Sequence, residues 1–339
     1  MYKNVYKYDD QKRGQHMAVR TTAGWYLFTH QLLEVSGPDA AGFLDHMLPK
    51  PIATLEPGRE RYTVMLDDSA TIIDDIIVFC VSGESYVIST LFVEDMVRWF
   101  KAHAEGYDVS WKVITSEWHM FTVQGPKALE MVDELLDEPV DDLRFFSFRK
   151  GAIDGEPVWV NRAGFTGEKY GYEIYIAADR MAWLETKLEE TSPKYGAVKV
   201  DDIQMMAWTL PTEAGFYYMR DLWHTNPYEV GLEKGIDWGK DFVGKEALAA
   251  IRDAGAAREM VGFTMPEADT PVLGGCHGYA GDVVSVDGGE IGYVRKLNYS
   301  FVRDEPIGYL LVEKGRVKPG DVVTIKGRYE GIVCEVPFI

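Results

Sequence analysis

The amino-acid sequence predicts an α+β protein: two intertwined mixed α/β subdomains, about residues 1–115 and 116–256, followed by an antiparallel β-barrel over residues 257–339. Three observations carry this expectation. The first 256 residues run through two cycles of hydrophobic patterning, each a set of short strands closed by an amphipathic helix, which argues against a doubly wound parallel sheet. After about Ala257 the pattern changes to short apolar runs punctuated by glycine, the signature of a small barrel. A chain of 339 residues with 46% apolar content is too long for one ordinary core and rich enough for two or three packed units.

The first cycle opens with a helix over Asp39–Met47. Strands follow over Tyr62–Leu66, Ile72–Val81 and Ser85–Thr90, and then a helix over Phe92–Ala104 with Met96, Val97, Trp99 and Phe100 near its apolar face. The second cycle repeats the rhythm. A strand over His119–Val123 and a helix over Pro126–Leu136 precede strands over Phe145–Lys150, Glu156–Arg162 and Tyr172–Ile176, with a closing helix over Arg180–Glu190. In the last 80 residues or so, the glycines at 274–278, 288–289, 292, 308, 320, 327 and 331 divide the strands, and Lys318-Pro319-Gly320-Asp321 reads as a turn.

Composition excludes several functions. The net charge of −19, from 35 basic against 54 acidic residues, disfavours nucleic acid, whose binding depends on phosphate neutralisation by Lys and Arg. The longest apolar run, near Ile72–Val81, is broken by Asp74 and Asp75, far short of the ~18 apolar residues of a membrane span. Met1–Arg13 has no apolar signal region, so a cytoplasmic location is expected. Cys80, Cys276 and Cys334 are too scattered for a disulfide framework, and Cys276-His277 lacks further ligands, so no metal is expected. The glycines between 151 and 171 form neither GxGxxG nor a phosphate loop, and there is no GxSxG or HExxH. A homo-oligomer is compatible with the sequence.

The most informative stretch is Gly164-Phe165-Thr166-Gly167-Glu168, running into Tyr170-Gly171-Tyr172-Glu173-Ile174: a glycine-rich turn feeding an aromatic strand with one acid. Its companions in order are Arg20-Thr21-Thr22-Ala23-Gly24, Ile73-Asp74-Asp75-Ile76, Val123-Gln124-Gly125-Pro126, Glu213-Ala214-Gly215 and Asp241-Phe242-Val243-Gly244-Lys245-Glu246-Ala247-Leu248. Together these resemble the aminomethyltransferase (glycine-cleavage T-protein) family of tetrahydrofolate-dependent one-carbon transferases, over nearly the whole chain. The resemblance implies a T-protein-like fold and tetrahydrofolate as the cofactor. Because folate's glutamate tail is anionic, the acidic chain needs a local basic patch, with Arg20, Arg59, Arg61 and Lys245 as candidates.

Site residues follow from matching positions. Adjacent strand residues point to opposite faces, so one of Asp74 and Asp75 faces inward, where a carboxylate needs a partner, a raised pKa or a ligand. The family match assigns the catalytic role to Asp74, beside the reacting N5 of the pterin. Glu173 matches the pterin-binding acid: the 2-amino group and N3–H present two donors that a carboxylate accepts in parallel. Tyr62 matches a pocket tyrosine, with strand packing as the other reading. Glu213 either lines the pocket or caps and salt-bridges, and Tyr172 is a weaker candidate because it neighbours Glu173 on the strand.

Departures from the family's pattern bear on the donor. Met205-Met206-Ala207-Trp208-Thr209-Leu210-Pro211-Thr212 lacks the Arg-Asp pair and second arginine expected before Glu213, and Ser89 replaces an asparagine. The run Phe216 to His224 and the loop that follows look closer to folate-dependent demethylases of the same fold, such as the dimethylsulfoniopropionate demethylase. Trp208, Tyr217, Tyr218 and Trp223 would then form an aromatic box for a methylated cation, Arg220 would hold an anionic donor group, and His224 would act as an acid for the leaving group. The sequence therefore favours a tetrahydrofolate-dependent demethylase acting on a small methylated donor. The alternatives are a glycine-cleavage aminomethyltransferase, which requires a lipoyl carrier protein, and a non-catalytic folate-binding protein of iron–sulfur maintenance type. Against the last, no cysteine stands near Gly244-Lys245.

Overall fold

A computed structural model describes residue 7 and residues 9–28, 31–265 and 281–339; the glycines at 274–278 and the Cys276-His277 pair lie outside them. The strands form a five-stranded sheet, a six-stranded sheet and a closed barrel. In the five-stranded sheet the order is Glu60–Leu66, Ile72–Ser82, Ser85–Thr90, Gln31–Ser36 and Ser110–Val113. The six-stranded sheet runs Val198–Lys199, Gly24–Phe28, Trp118–Gln124, Gly171–Ala177, Glu156–Arg162 and Ser147–Ile153.

Alternation along these strands builds four layers. On one face of the five-stranded sheet, Val35, Ile76, Val78 and Ile88 pack against the helices Ala40–Met47 and Val93–His103 through Phe43, Leu44, Met96 and Phe100. The six-stranded sheet likewise covers one face, with Trp25, Phe121, Val123, Tyr172 and Ile174 against the helices Ala128–Leu135 and Met181–Tyr195. The remaining faces meet each other. Phe79, Val87 and Leu32 from one sheet pack on Phe28, Met120, Phe148 and Tyr175 from the other.

The chain changes sheets early. Gly24–Phe28 belongs to the six-stranded sheet, while Gln31–Ser36, two residues later, pairs with Ser85–Thr90 in the other. A cut near residue 115 therefore does not separate the sheets in space. The sequence reading also lacked the helix Asp10–Thr21 and both of these strands.

The barrel is antiparallel and closes in the order Arg258–Thr264, Glu305–Glu313, Gly289–Ser300, Val283–Val286, Val322–Ile325, Tyr329–Cys334. Its core is Phe263, Val294, Leu310, Val312, Ile325 and Val333. The strand Gly289–Ser300 does more than close it. A register shift between Val294 and Lys296 is where two successive cations, both buried, leave the barrel. Arg295 donates to the carbonyls of Asp221 (2.7 Å), Arg220 (3.2 Å) and Trp223, and Lys296 pairs with Asp221 at 2.8 Å. Asn298 donates to the carbonyl of Trp208 and to Thr212. One barrel strand thus holds the 208–224 segment over the sheets.

Two glycines in the matched motifs are explained by packing. Gly167 has φ +87°, and a Cβ there would lie 2.3 Å from the Cβ of Ala214. Gly244, at φ +82°, would meet the carbonyl oxygen of Asp67 at 2.5 Å. Among the described residues no helix is long and apolar enough to cross a membrane, and no His/Cys/Asp/Glu cluster suits a metal.

Candidate active site

The candidate site, called the cleft below, lies between the two sheets, at the end where polar side chains replace the apolar filling. Glu60 and Tyr62 come from one edge strand, and Asp75 from its neighbour, on the face that also carries Ile77 and Phe79. From the opposite sheet come Asn161, Glu173 and Tyr175; Asn161 and Glu173 are directly paired across their strands. Trp208 is placed by the π-helical turn Met205–Thr209, a geometry that recurs at functional sites.

Two carboxylates meet through one amide. Asn161 Nδ2 donates to Glu60 Oε2 and to Glu173 Oε2, each at 3.1 Å, and the Tyr175 hydroxyl donates to Glu173 Oε2 at 3.1 Å. Glu60, Asn161 and Glu173 are 4%, 1% and 1% exposed. Glu60 Oε1 and Asn161 Oδ1 have no hydrogen-bond partner. Burial and then the charge of Glu173 push Glu60 well above the usual carboxylate range. Burial also raises Glu173, against the lowering effect of its bonds from Asn161 and Tyr175.

Beside this cluster, the Tyr62 hydroxyl donates to Asp75 Oδ2 at 3.1 Å. Burial, with the nearby charge of Asp221 adding to it, pushes Asp75 up to about 6 against the lowering effect of Tyr62. Tyr218 stands close enough for the charge of Asp75 to act on its phenol. Trp208 and Tyr218 form a tilted ring pair with centroids 5.7 Å apart. The ammonium of Lys50 lies 5.7 Å from the Tyr62 ring centroid.

The structure brings Tyr62, Glu173, Trp208 and Tyr218 to the cleft, keeps Tyr217 and Arg220 near enough to act on the Tyr62 and Tyr218 phenols, and places Asp74, Tyr172, Glu213, Trp223 and His224 elsewhere. Asp74 is the acid that faces away. It shares the helix face with Ile76 and Val78, accepts from the Thr90 hydroxyl and from the Asp75 N–H (2.9 Å), and is 1% exposed, so Asp75 occupies the cleft position. Tyr172 points into the core under the outer helices. Glu213 is fully engaged by the protein: His16 Nε2 (2.9 Å), Arg20 Nε (3.0 Å), Arg20 Nη2 (2.7 Å) and Ser300. Burial alone would raise Glu213, yet these partners hold it below the usual range.

The expected aromatic box is divided. Tyr217 packs on Tyr309 of the barrel (4.9 Å) and Trp223 on Phe92 (5.6 Å), while Trp208 pairs with Tyr218. Arg220 is half-buried, and its charge acts on the Tyr218 phenol. His224 is exposed at φ +60°, and its carbonyl accepts from Arg258 at 2.8 Å, so the position serves the backbone of the loop. Of the expected basic candidates, Arg20 is tied to Glu213 and Glu168, Arg59 donates to Ser147, and Lys245 to the carbonyl of Lys240.

Sequence reasoning missed Glu60, Asn161 and Asp75 as site residues. A signal existed: Glu60 stands two residues before Tyr62 and so shares its strand face.

Comparison with known proteins agrees with this architecture. The GCVT N-terminal domain matches residues 2–240, and the glycine cleavage T-protein C-terminal barrel domain matches residues 258–339. The chain belongs to the glycine-cleavage T-protein family. It is 31% identical to the aminomethyltransferase of Bdellovibrio bacteriovorus over 96% of this chain and 91% of that one. It is also 31% identical to the aminomethyltransferase of Bacillus subtilis, over 96% and 90%. The fold superposes on glycine cleavage system aminomethyltransferase T from Bartonella henselae with a TM-score of 0.85, at 22% identity over 97% of this chain and 89% of that one. As a member of this family the chain is a one-carbon transferase that acts with tetrahydrofolate. The relatives carry the aminomethyltransferase name, which was the alternative to the demethylase expectation.

Proposed function

We propose that the chain transfers a one-carbon unit from a donor carrying positive charge to tetrahydrofolate bound between the two sheets, with Glu173 on the pterin edge and Asp75 beside the reacting nitrogen. The observation that supports this is the uncompensated acid cluster: a buried amide and a buried acid each keep one unpaired oxygen, and unpaired buried polar atoms are costly unless a ligand completes them. The donor edge of a pterin supplies what is lacking. Tetrahydrofolate, when bound, supplies the nucleophilic N5 that receives the carbon.

The protein's part is positioning and charge. Asp75, held by Tyr62, is a carboxylate at neutral pH that can accept a proton or stabilise positive charge as transfer proceeds. The Trp208–Tyr218 pair offers ring faces to a cationic donor. Lys50 over Tyr62 places a positive charge at this end of the cleft for the anionic tail of folate. The names of the relatives favour an aminomethyl donor delivered on a lipoyl carrier protein. Demethylation of a small sulfonium or quaternary ammonium donor is the second reading, favoured by the Trp208–Tyr218 pair and by the absence of the two arginines before Glu213. We also read residues 1–256 as the folate-binding unit, 257–339 as a barrel domain that clamps it, and the protein as cytoplasmic.

The deciding experiment incubates the protein and tetrahydrofolate with an aminomethylated lipoyl carrier protein or with methylated sulfonium and ammonium donors, and identifies the folate product by mass spectrometry. A methylene product from the carrier supports aminomethyl transfer, and a 5-methyl product from a small donor supports demethylation. Absence of tetrahydrofolate binding would overturn both.

A further inference from the structure

Glu60 is a second buried acid in the folate cleft, and its surroundings give it a different task from Glu173. The two share Asn161, but their remaining partners differ. Glu173 Oε2 accepts from both Asn161 and Tyr175, whereas Glu60 accepts from Asn161 alone and its other oxygen, Oε1, has no partner. The titratable and charged groups facing Glu60 are Glu173, Tyr175 and Arg59, and the Arg59 guanidinium is drawn off to Ser147 on the neighbouring strand. One negative charge in this buried space is stabilised by two donors. A second would have one donor and a like charge bridged to it by the same amide. Glu60 is therefore the member of the pair that keeps its proton, and its free oxygen becomes a donor.

We propose that Glu60 reads the ring carbonyl of the pterin, donating a hydrogen bond to O4 while Glu173 accepts from N3–H and the 2-amino group. This rests on the folate reading above and sharpens it. The 2-amino-4-oxo edge presents donor, donor, acceptor, and an ionised carboxylate beside a protonated carboxyl presents acceptor, acceptor, donor. The pair is a complement to the 4-oxo ring. A 4-amino ring has a donor where O4 stood and a bare acceptor at N3, so it sets a donor against the Glu60 proton and a lone pair against Glu173, and the site discriminates at both acids.

The test is anaerobic calorimetry of tetrahydrofolate and its 4-amino counterpart, tetrahydroaminopterin, with the wild type, Glu60→Gln and Glu60→Leu, across about pH 6 to 9. Relative to Glu60→Gln, the wild type loses affinity for tetrahydrofolate as pH rises through the titration of Glu60. Glu60→Gln, whose amide remains a donor at every pH, keeps the affinity and loses that dependence. Glu60→Leu binds tetrahydrofolate roughly ten- to a hundredfold more weakly, and its preference for the 4-oxo compound narrows to the part that Glu173 supplies at N3. A carboxyl C=O stretch in the wild-type infrared spectrum that is absent from Glu60→Gln reports the proton directly. A wild-type pH profile that matches that of Glu60→Gln, or a Glu60→Leu variant that keeps the full wild-type 4-oxo preference, overturns the inference and leaves the folate reading standing. A wild type that binds no tetrahydrofolate at any pH overturns both.

Discussion

The buried carboxylates Glu213 and Glu173 stand in sites that treat charge in opposite ways. Around Glu213 the acid is surrounded by His16, Arg20 and Ser300, and Arg20 extends the network to Glu168 and to the carbonyls of Thr166 and Leu210. Around Glu173 a second acid, Glu60, takes the place where a cation would stand, and two polar atoms remain unpaired. The first site ties the N-terminal helix, the Gly164–Glu168 turn and the Glu-Ala-Gly run into one unit. The second links the two sheets only through the Asn161 amide, and its unpaired oxygens are what the proposed ligand would complete. A buried acid that has found its cation is structure; one that has not is waiting for a partner.

Arg20→Ala gives the largest effect that would separate these sites. Removing the cation takes from Glu168 its ion-pair partner and leaves Glu213 with only His16 and Ser300, at a cost of about 3–5 kcal/mol in urea or thermal unfolding. Glu173→Gln should do the reverse, weakening tetrahydrofolate about a hundredfold in calorimetry while leaving the stability of the free protein unchanged or improved. If Glu173→Gln unfolds the protein as readily as Arg20→Ala, the contrast between the sites is lost.

The sites also have opposite pH signatures. Glu213 is held below its ordinary value in the folded state, so its contribution is present above the ordinary carboxylate pKa and is lost as pH falls. Asp75, Glu60 and Glu173 are raised, so the folded state binds their protons more tightly and stability falls as pH rises through their folded values. For Asp75, raised from 3.8 to about 6, the loss is at most about 3 kcal/mol above pH 6. Asp75→Asn therefore unfolds at higher temperature than the wild type at neutral pH.

Turnover gives the complementary result. In the wild type it should rise with pH through about 6 as Asp75 ionises, and Asp75→Asn should lower kcat roughly 100-fold or more, by the usual worth of a general base. Asp74→Asn, on the helix face, retains most of the activity. The converse ranking of the two variants would return the catalytic role to Asp74. The smallest effect belongs to Trp208→Ala, which raises the KM for a cationic donor about tenfold, the measure of a partly desolvated cation–π contact, with little change in tetrahydrofolate affinity.

The layered architecture was legible because its strands and helices carry clean periodicities: Ser85–Thr90 and Glu156–Arg162 have the same limits in both readings. The barrel was visible in its glycines. The N-terminal helix and the strands at 24–36 were not, because the helix is polar along most of its length and the strands are short and belong to different sheets. At the site, motif matching located the pair Asp74-Asp75 but alternation left open which acid faces the cleft, and the answer depends on which face the second sheet covers. The aromatics at 208–223 are close in sequence, yet the barrel strand bearing Arg295 and Lys296 turns the segment so that Tyr217 and Trp223 are spent on packing. Glu213 matched a family run, and only its distance from Arg20 and His16 shows that it serves the scaffold.

The central claim, that the Glu60–Asn161–Glu173 cluster is the unfinished half of a folate site, is tested most directly by thermal unfolding of the wild type, Glu173→Gln and Arg20→Ala with and without tetrahydrofolate. The account expects Glu173→Gln to melt at or above the wild-type temperature and to lose the stabilisation that tetrahydrofolate gives the wild type, and Arg20→Ala to melt far lower. A Glu173→Gln protein that melts well below the wild type and is still stabilised by tetrahydrofolate would contradict it.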